Sequence, residues 1–435
     1  MNTGSVELLA FGMVAVVAGF FLLISMVREL APDERRKWIL GIGLGTGIIA
    51  FSLKIGLIVI FSLFPGPMLS LFPERDNEFA AVMASSHPLY DPEMVKTPYT
   101  WQALPTSAPY PEDNPPSSEK IKLGEKLFFD TRLSADSTLA CASCHEISNT
   151  KGGGDGLSAS IGIHGQQGTR NAPTVLNAAF QKVLFWDGRA VSLEDQAKGP
   201  LINPIEMGMP SLDRVVERVN GIPEYQTLFE AAFPNQPGIT IDTIAKAIAA
   251  YERTLITPDS PYDRFIKGDA SALSEKQIRG MVLFESTGCV LCHSGPNFSA
   301  ASYFGEDTPY RIFPSVPNTV YEHRHRLSED LGASTSRDGG GRGVWRVPSL
   351  RNVTRTAPYF HNGSVTSLDE AVRIMAQVQL GKTISNDETD DKTIQWLNGE
   401  QRLKVATHQA LSDTEVGEIV AFLKALEGEL PATQL

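Results

Sequence analysis

Cys141-Ala142-Ser143-Cys144-His145 and Cys289-Val290-Leu291-Cys292-His293 are two copies of one C-x-x-C-H pentapeptide, and they hold all four cysteines of the 435-residue chain. Two thiols at this spacing fit thioether links to the two vinyl groups of a haem, and the histidine after the second thiol is placed to ligate the iron. A zinc site or a redox dithiol would use the same residue types. The two pairs, however, lie 148 positions apart, far beyond the roughly 15–20 residues between the halves of a zinc ribbon. The reading is therefore two covalently bound haem c groups.

An amphipathic run precedes each motif, Glu119 to Phe129 before the first and Ser274 to Glu285 before the second. Each motif should also be followed by a helix. Ile241 to Leu255 has apolar residues at helical spacing, and Thr414 to Leu426 is opened by the capping box Ser412-x-x-Glu415. No strand-like alternation of any length is present. The predicted fold is mostly α: two cytochrome c-like haem domains preceded by a two-helix transmembrane hairpin. The expected divisions are 1–64 for the hairpin, 65–118 for a proline-rich linker, 119–262 for the first haem domain and 263–435 for the second.

The hairpin rests on two apolar stretches, Leu8 to Val27, an uncharged run of 20 residues, and Trp38 to Phe64, a run of 27 interrupted only by Lys54. Each is long enough to span roughly 30 Å of hydrocarbon as a helix. A cleaved signal peptide would carry a basic start and a small-residue cleavage site, whereas the only charge before Leu8 is Glu7 and the first run ends in Arg28-Glu29; an uncleaved anchor fits better. Arg28, Arg35, Arg36 and Lys37 in the connection put it in the cytoplasm, and both outer ends in the periplasm. Haem attachment of this type requires the same compartment, so the expected location is the bacterial inner membrane with the haem domains in the periplasm. Lys54 reads as a tolerated intramembrane charge. Residues 65 to 118 hold 11 prolines in 54 positions, which favours an extended stalk or strap.

From about residue 120 to the end the chain resembles the bacterial di-haem cytochrome c peroxidases and their relatives, the methylamine-utilisation di-haem oxidases. The blocks that carry the resemblance are Leu127-Phe128-Phe129-Asp130, the two haem motifs, Arg170-Asn171-Ala172-Pro173-Thr174-Val175, Phe185-Trp186-Asp187-Gly188-Arg189-Ala190, Gln196-Ala197-Lys198-Gly199-Pro200, Glu206-Met207 and Thr356-Ala357-Pro358-Tyr359-Phe360-His361.

The resemblance implies reduction of hydrogen peroxide by a cytochrome-c peroxidase and assigns roles residue by residue. His164, in a segment where seven of the 20 residues from Lys151 to Arg170 are glycine, would hold the sixth position of the first haem in the resting oxidised state and leave on reduction of the second. Glu206, in an apolar context, would be the distal acid/base, with Gln196 in the same pocket. Met375, on a helix capped by Ser367-x-x-Glu370, would be the sixth ligand of the second haem; a thioether favours ferrous iron, so that haem would accept electrons first. The relatives that oxidise protein tryptophans carry tyrosine here, and methionine therefore favours peroxide reduction. Trp186 would lie between the haems, and Asn171, Thr356 and Pro358 would supply oxygens to a calcium ion. His361 recurs in the family near the second haem and receives no role.

Two departures from the family pattern stand out: the membrane hairpin with its stalk, and the stretch from about Ser385 to Gln409, which reads as a surface insertion containing Trp396 and His408. The net charge is minus 12, which excludes nucleic acid as a partner and suits a basic cytochrome c donor. A cupredoxin or membrane quinol could also donate, and a homodimer is compatible with the chain. The alternatives are a di-haem oxidase of the methylamine-utilisation type and a non-enzymatic membrane-bound electron carrier.

Overall fold

The computed structural model describes residues 99–147, 150–305, 308–336, 341–384, 396–398, 401–403 and 410–430. The expected membrane hairpin, Lys54 and His408 lie outside the described residues, and among those described no helix is long and apolar enough to cross a membrane. The helices are α1 Ser118–Phe128, α2 Leu193–Ile202, α3 Leu212–Asn220, α4 Pro223–Ala232, α5 Ile241–Glu252, α6 Pro261–Ile266, α7 Glu275–Ser286, α8 Val320–His325, α9 Leu368–Ile374 and α10 Asp413–Lys424. Strands are short: β1 Tyr310–Ile312 pairs antiparallel with β2 Val344–Arg346, β3 Thr383–Ile384 pairs parallel with β6 Ala410–Leu411, and β4 Trp396–Asn398 pairs antiparallel with β5 Gln401–Leu403. The fold is mostly helical. The stretch read as an insertion leaves from β3 and returns at β6, and Trp396 lies in β4.

One helix-pair design occurs twice. Before the first haem motif, α1 packs across α5; before the second, α7 packs across α10. Each crossing depends on a glycine. A Cβ on Gly124 would lie 1.9 Å from the Ala247 carbonyl oxygen, and one on Gly280 would lie 1.9 Å from that of Glu418. Each glycine is followed three and four positions later by Leu-Phe, Leu127-Phe128 and Leu283-Phe284, one helical turn along the same face. Phe128 meets Tyr251 with ring centres 5.3 Å apart, and Phe284 meets Phe422 at 5.4 Å. Leu127 and Phe128 are fully buried, and burial of such side chains contributes about 1.5–3 kcal/mol each.

These crossings organise two hydrophobic cores within the unit Asp76–Leu435. The first gathers Leu123, Phe128, Tyr225, Ile244 and Ile248; the second gathers Met281, Phe284, Phe298, Ile419 and Phe422. The end of the proline-rich stretch is a strap over both halves: Trp101 is part of the second core, and Leu104 and Ala108 pack with Phe180 and Leu184 in a third cluster. Near the second core Arg351 and Asp263, both fully buried, form a two-point ion pair at 2.6 and 2.8 Å. Ser260 and the Pro296 carbonyl satisfy further donors of the same guanidinium.

Candidate active site

Each haem motif is built on a single tight turn. Cys141–Cys144 is one helical turn, and Cys289–Leu291 is a 3-10 turn entered through Gly288, whose φ of 93° suits glycine. In both, the histidine amide closes on the first cysteine: His145 N to Cys141 O at 3.0 Å, and His293 N to Cys289 O at 2.9 Å. The imidazoles are then oriented alike. Nδ1 of His145 lies 3.3 Å from the Gly153 carbonyl oxygen, and Nδ1 of His293 lies 3.1 Å from that of Phe298. A carbonyl can only accept, so Nδ1 carries the proton and Nε2 keeps its lone pair, the arrangement of a metal-ligating histidine. Burial lowers the pKa of both, that of His293 to about 4, so both are neutral donors.

None of the four cysteines forms a disulfide, and burial pushes the Cys141 thiol up to about 12 and that of Cys289 to about 11. Thiolate-held zinc needs the opposite tendency and a closed set of ligands; among the described residues no group of three or more His, Cys, Asp or Glu is disposed to hold a metal ion. Both motifs instead line one mostly apolar cavity of about 550 Å³. Paired thiols, an imidazole with a free Nε2 and apolar walls, present twice, fit two haem c groups.

Beyond the first motif the wall is polar. Ser192 caps α2 by accepting from Asp195 N at 3.1 Å, and the helix brings Gln196 to the cavity. The turn after α2 brings Glu206 to the same wall, where its Oε1 accepts from Asn203 Nδ2 at 2.8 Å. Burial raises the Glu206 pKa, against the pull of the Arg189 guanidinium and the Asn203 bond. His164 is not brought to this wall. It occupies the tip of a small hairpin closed by the Ile161–Gln167 bridge, with φ of 56°, a 65% exposed side chain and its Nδ1 3.6 Å from Asp136. The hairpin is nevertheless fixed to the Glu206 turn, because Ile163 N donates to Glu206 O at 3.0 Å and Gly162 lies too close to Ile205 O to admit a Cβ.

Beyond the second motif the wall carries Met375. This residue ends α9 and begins a π-helical turn, Met375–Gln379, closed by Leu380 N to Met375 O at 3.1 Å. Single π turns recur at functional positions because the extra residue re-aims the side chains around it.

Between the motifs Trp186 lines the cavity and donates from Nε1 to the Asn171 carbonyl at 2.8 Å, and Asn171 N donates to His361 O at 2.8 Å. Asn171, Thr356 and Pro358 all line this cavity. Several residues with no signal in sequence spacing join them. Trp345 stacks on His361 at 4.1 Å, and Arg170 lies 5.0 Å over the Trp345 ring while pairing with Asp187 and Asp330. Glu252 and Arg346 also line the cavity, both buried.

A family model described as di-haem cytochrome c peroxidase matches residues 118–271. Cytochrome c peroxidase Ccp of Escherichia coli is 41% identical over 293 residues, 65% of this chain; the chain spans 58% of that relative's length. Cytochrome c551 peroxidase of Pseudomonas aeruginosa is 37% identical over 359 residues, 82% of this chain and 91% of the relative. Among solved structures, a MauG-like protein associated with microbial copper homeostasis superposes with a TM-score of 0.62 at 30% identity, over 77% of this chain and 98% of that one. Because the identity to the Pseudomonas relative is sustained along nearly the whole of that protein, the chain is an oxidoreductase belonging to the di-haem cytochrome c peroxidase family.

Proposed function

We propose that the protein reduces hydrogen peroxide to water with electrons from a small redox protein, cytochrome c or a cupredoxin, while anchored to the periplasmic face of a bacterial inner membrane by its N-terminal hairpin. The observation that carries the reading is the unequal equipment of one cavity: Glu206 and Gln196 on the wall of the first motif, Met375 on the wall of the second. The haems, when bound, supply the one-electron steps. His145 and His293 would hold the two haems through Nε2, and Met375 would help hold the second and favour its reduced form. Glu206 takes a proton from the near oxygen of peroxide and returns one to the departing oxygen, which leaves as water; two electrons and two protons per peroxide complete the balance. Gln196 orients the peroxide by hydrogen bonding.

In this reading the 119–262 half is peroxidatic and the 263–435 half receives electrons. His164, exposed beside Asp136, would help hold the first haem in the oxidised protein and would leave the Glu206 side open on reduction. Asn171, Thr356 and Pro358 would hold a calcium ion at the join, and Trp186 would pass electrons across it.

The test is peroxide consumption by the ascorbate half-reduced protein, with reduced cytochrome c as donor and calcium present. Rapid turnover that is lost in Glu206→Gln supports the reading. Both haems remaining six-coordinate, with no turnover, sinks it in favour of electron carriage. Oxidation of a protein substrate without cytochrome c turnover would favour the di-haem oxidase reading instead.

A further inference from the structure

Glu252 is a buried acid that the peroxide chemistry above does not use. It ends α5, is 6% exposed, and lines the cavity close enough to Cys141 for its charge to act on that sulfur. Its Oε2 has no hydrogen-bond partner, and no ion pair reaches it among the described residues. The obvious counterion is already committed: Arg253 binds Glu194 at two points, 2.7 and 3.1 Å, and donates to the Pro109 carbonyl at 3.1 Å, while Asn114 adds a bond to the same Glu194.

The charged groups facing Glu252 are few. Arg253 draws its pKa down, Glu194 from α2 pushes it up, and burial outweighs both, setting it at about 8. Tyr251, the preceding residue, is itself pushed up to about 12 by burial and stays neutral, and Cys141, as a haem thioether, does not titrate. From α1, Glu125 acts on Tyr251, and the Lys120 ammonium is held by the Pro115 carbonyl at 2.6 Å. Glu252 is thus an acid that is neutral near pH 7, set in a low-dielectric wall beside a group whose charge changes by one unit.

We propose that Glu252 is a proton-binding site coupled to the first haem: in the alkaline range, where the oxidised protein holds it as the carboxylate, it takes up one proton from solvent when that haem gains an electron, and releases it on reoxidation. The electron comes from the reduced donor protein, and the carboxyl O–H is the only bond made or broken. The cause is electrostatic. An added electron in a weakly screened interior raises the proton affinity of a nearby carboxylate, and by linkage the protonated carboxyl raises the affinity for the electron. Glu252 therefore acts through the haem as a positioning group for charge and does not touch peroxide. The inference rests on the first motif holding a haem, which the absorption spectrum of the purified protein checks separately.

The experiment is an optical redox titration of the full-length, haem-loaded protein across the neutral-to-alkaline range, with infrared difference spectra of oxidised and reduced forms. In the native protein the potential of the first haem is expected to fall as pH rises above about 8, by up to about 59 mV for each tenfold drop in proton activity. A protonated carboxyl band should gain intensity on reduction. Glu252→Gln should flatten the added slope and remove the band, leaving the second haem unchanged. Glu252→Asp should keep both features at a shifted pH, and it carries the decision if the glutamine variant loads haem poorly. An unchanged slope with the band retained in Glu252→Gln, or a native protein with neither feature, overturns the proposal while leaving the peroxidase reading intact.

Discussion

The two haem motifs are nearly identical on the side of their histidines and opposite on the far side. His145 and His293 share the same closing amide bond to a cysteine carbonyl and the same Nδ1 bond to a main-chain oxygen. Across the cavity, the first meets a carboxyl and an amide held by a helix end and a turn, and the second meets a thioether at a π turn. In the proposed reading, the histidine side would fix a haem in place and the far wall would decide what the haem does. A site that must admit peroxide and move protons needs a titratable group and an opening. A site that must pass electrons is better sealed, with a ligand that does not titrate.

The strongest way to break this contrast is Glu206→Gln, which removes the carboxylate that Asn203 holds on the first wall and keeps its shape. Peroxide turnover should fall by about 10²–10⁴-fold, the usual worth of a general acid/base, with both haem spectra unchanged; steady-state kinetics with reduced cytochrome c checks it. The pH profile adds a sign. Burial raises the Glu206 pKa, and a base must be deprotonated to act, so activity should drop on acidification at a pH above the ordinary glutamate range. Glu206→Gln should lack that limb.

Met375→His tests the other wall. Imidazole in place of the thioether should lower the second haem's potential by a sizeable part of the roughly 0.8 V that axial ligands command. Ascorbate would then no longer produce the half-reduced form, and optical redox titration reads this directly. Next comes the packing beneath the second half. Arg351→Met leaves Asp263 as an unpaired charge at zero exposure, which should cost about 3–5 kcal/mol in denaturant unfolding. Breaking the Lys198–Asp242 pair, 31% and 68% exposed, should cost less than about 1 kcal/mol.

How much of this was legible in the sequence follows from the range of the signals. The C-x-x-C-H motifs state their chemistry within five residues. The Ser412–Glu415 capping box marks the start of α10 because cap and helix are neighbours in the chain. Ser367 likewise accepts from Glu370 N at the start of α9. What the chain did not disclose depends on tertiary placement. Trp345 acquires its place only by stacking on His361, and Glu252 is singled out only because Arg253 is taken by Glu194. The Pro-rich end of the linker reads as extended, yet which side chains it buries, Trp101 and Leu104, depends on cores built from residues far along the chain. Helices α3 and α4 lacked any marker comparable to the haem motifs. His164 is the instructive case, since its glycine-rich surroundings signal a loop but cannot say where the tip rests.

The repeated helix crossing offers the sharpest control. Gly124 and Gly280 each press the backbone of their helix against a carbonyl 1.9 Å from where a Cβ would stand, in front of a Leu-Phe pair buried at the same offset. If the halves are equivalent on this side, Gly124→Ala and Gly280→Ala should behave alike. Each intrudes on main-chain atoms that cannot rotate away, so α1 must move off α5, or α7 off α10. Overpacking of this kind costs about 1–3 kcal/mol, less the up to about 1 kcal/mol that alanine returns as a better helix former. Their consequences for chemistry should differ. A shift of α5 displaces Glu252 and Ile248 on the wall of the cavity, whereas a shift of α10 displaces Ile419 and Leu423. Equal losses in unfolding free energy, with the first haem's potential moving only in Gly124→Ala, would show that one scaffold was used twice and that the functional difference resides in what faces each haem across the cavity.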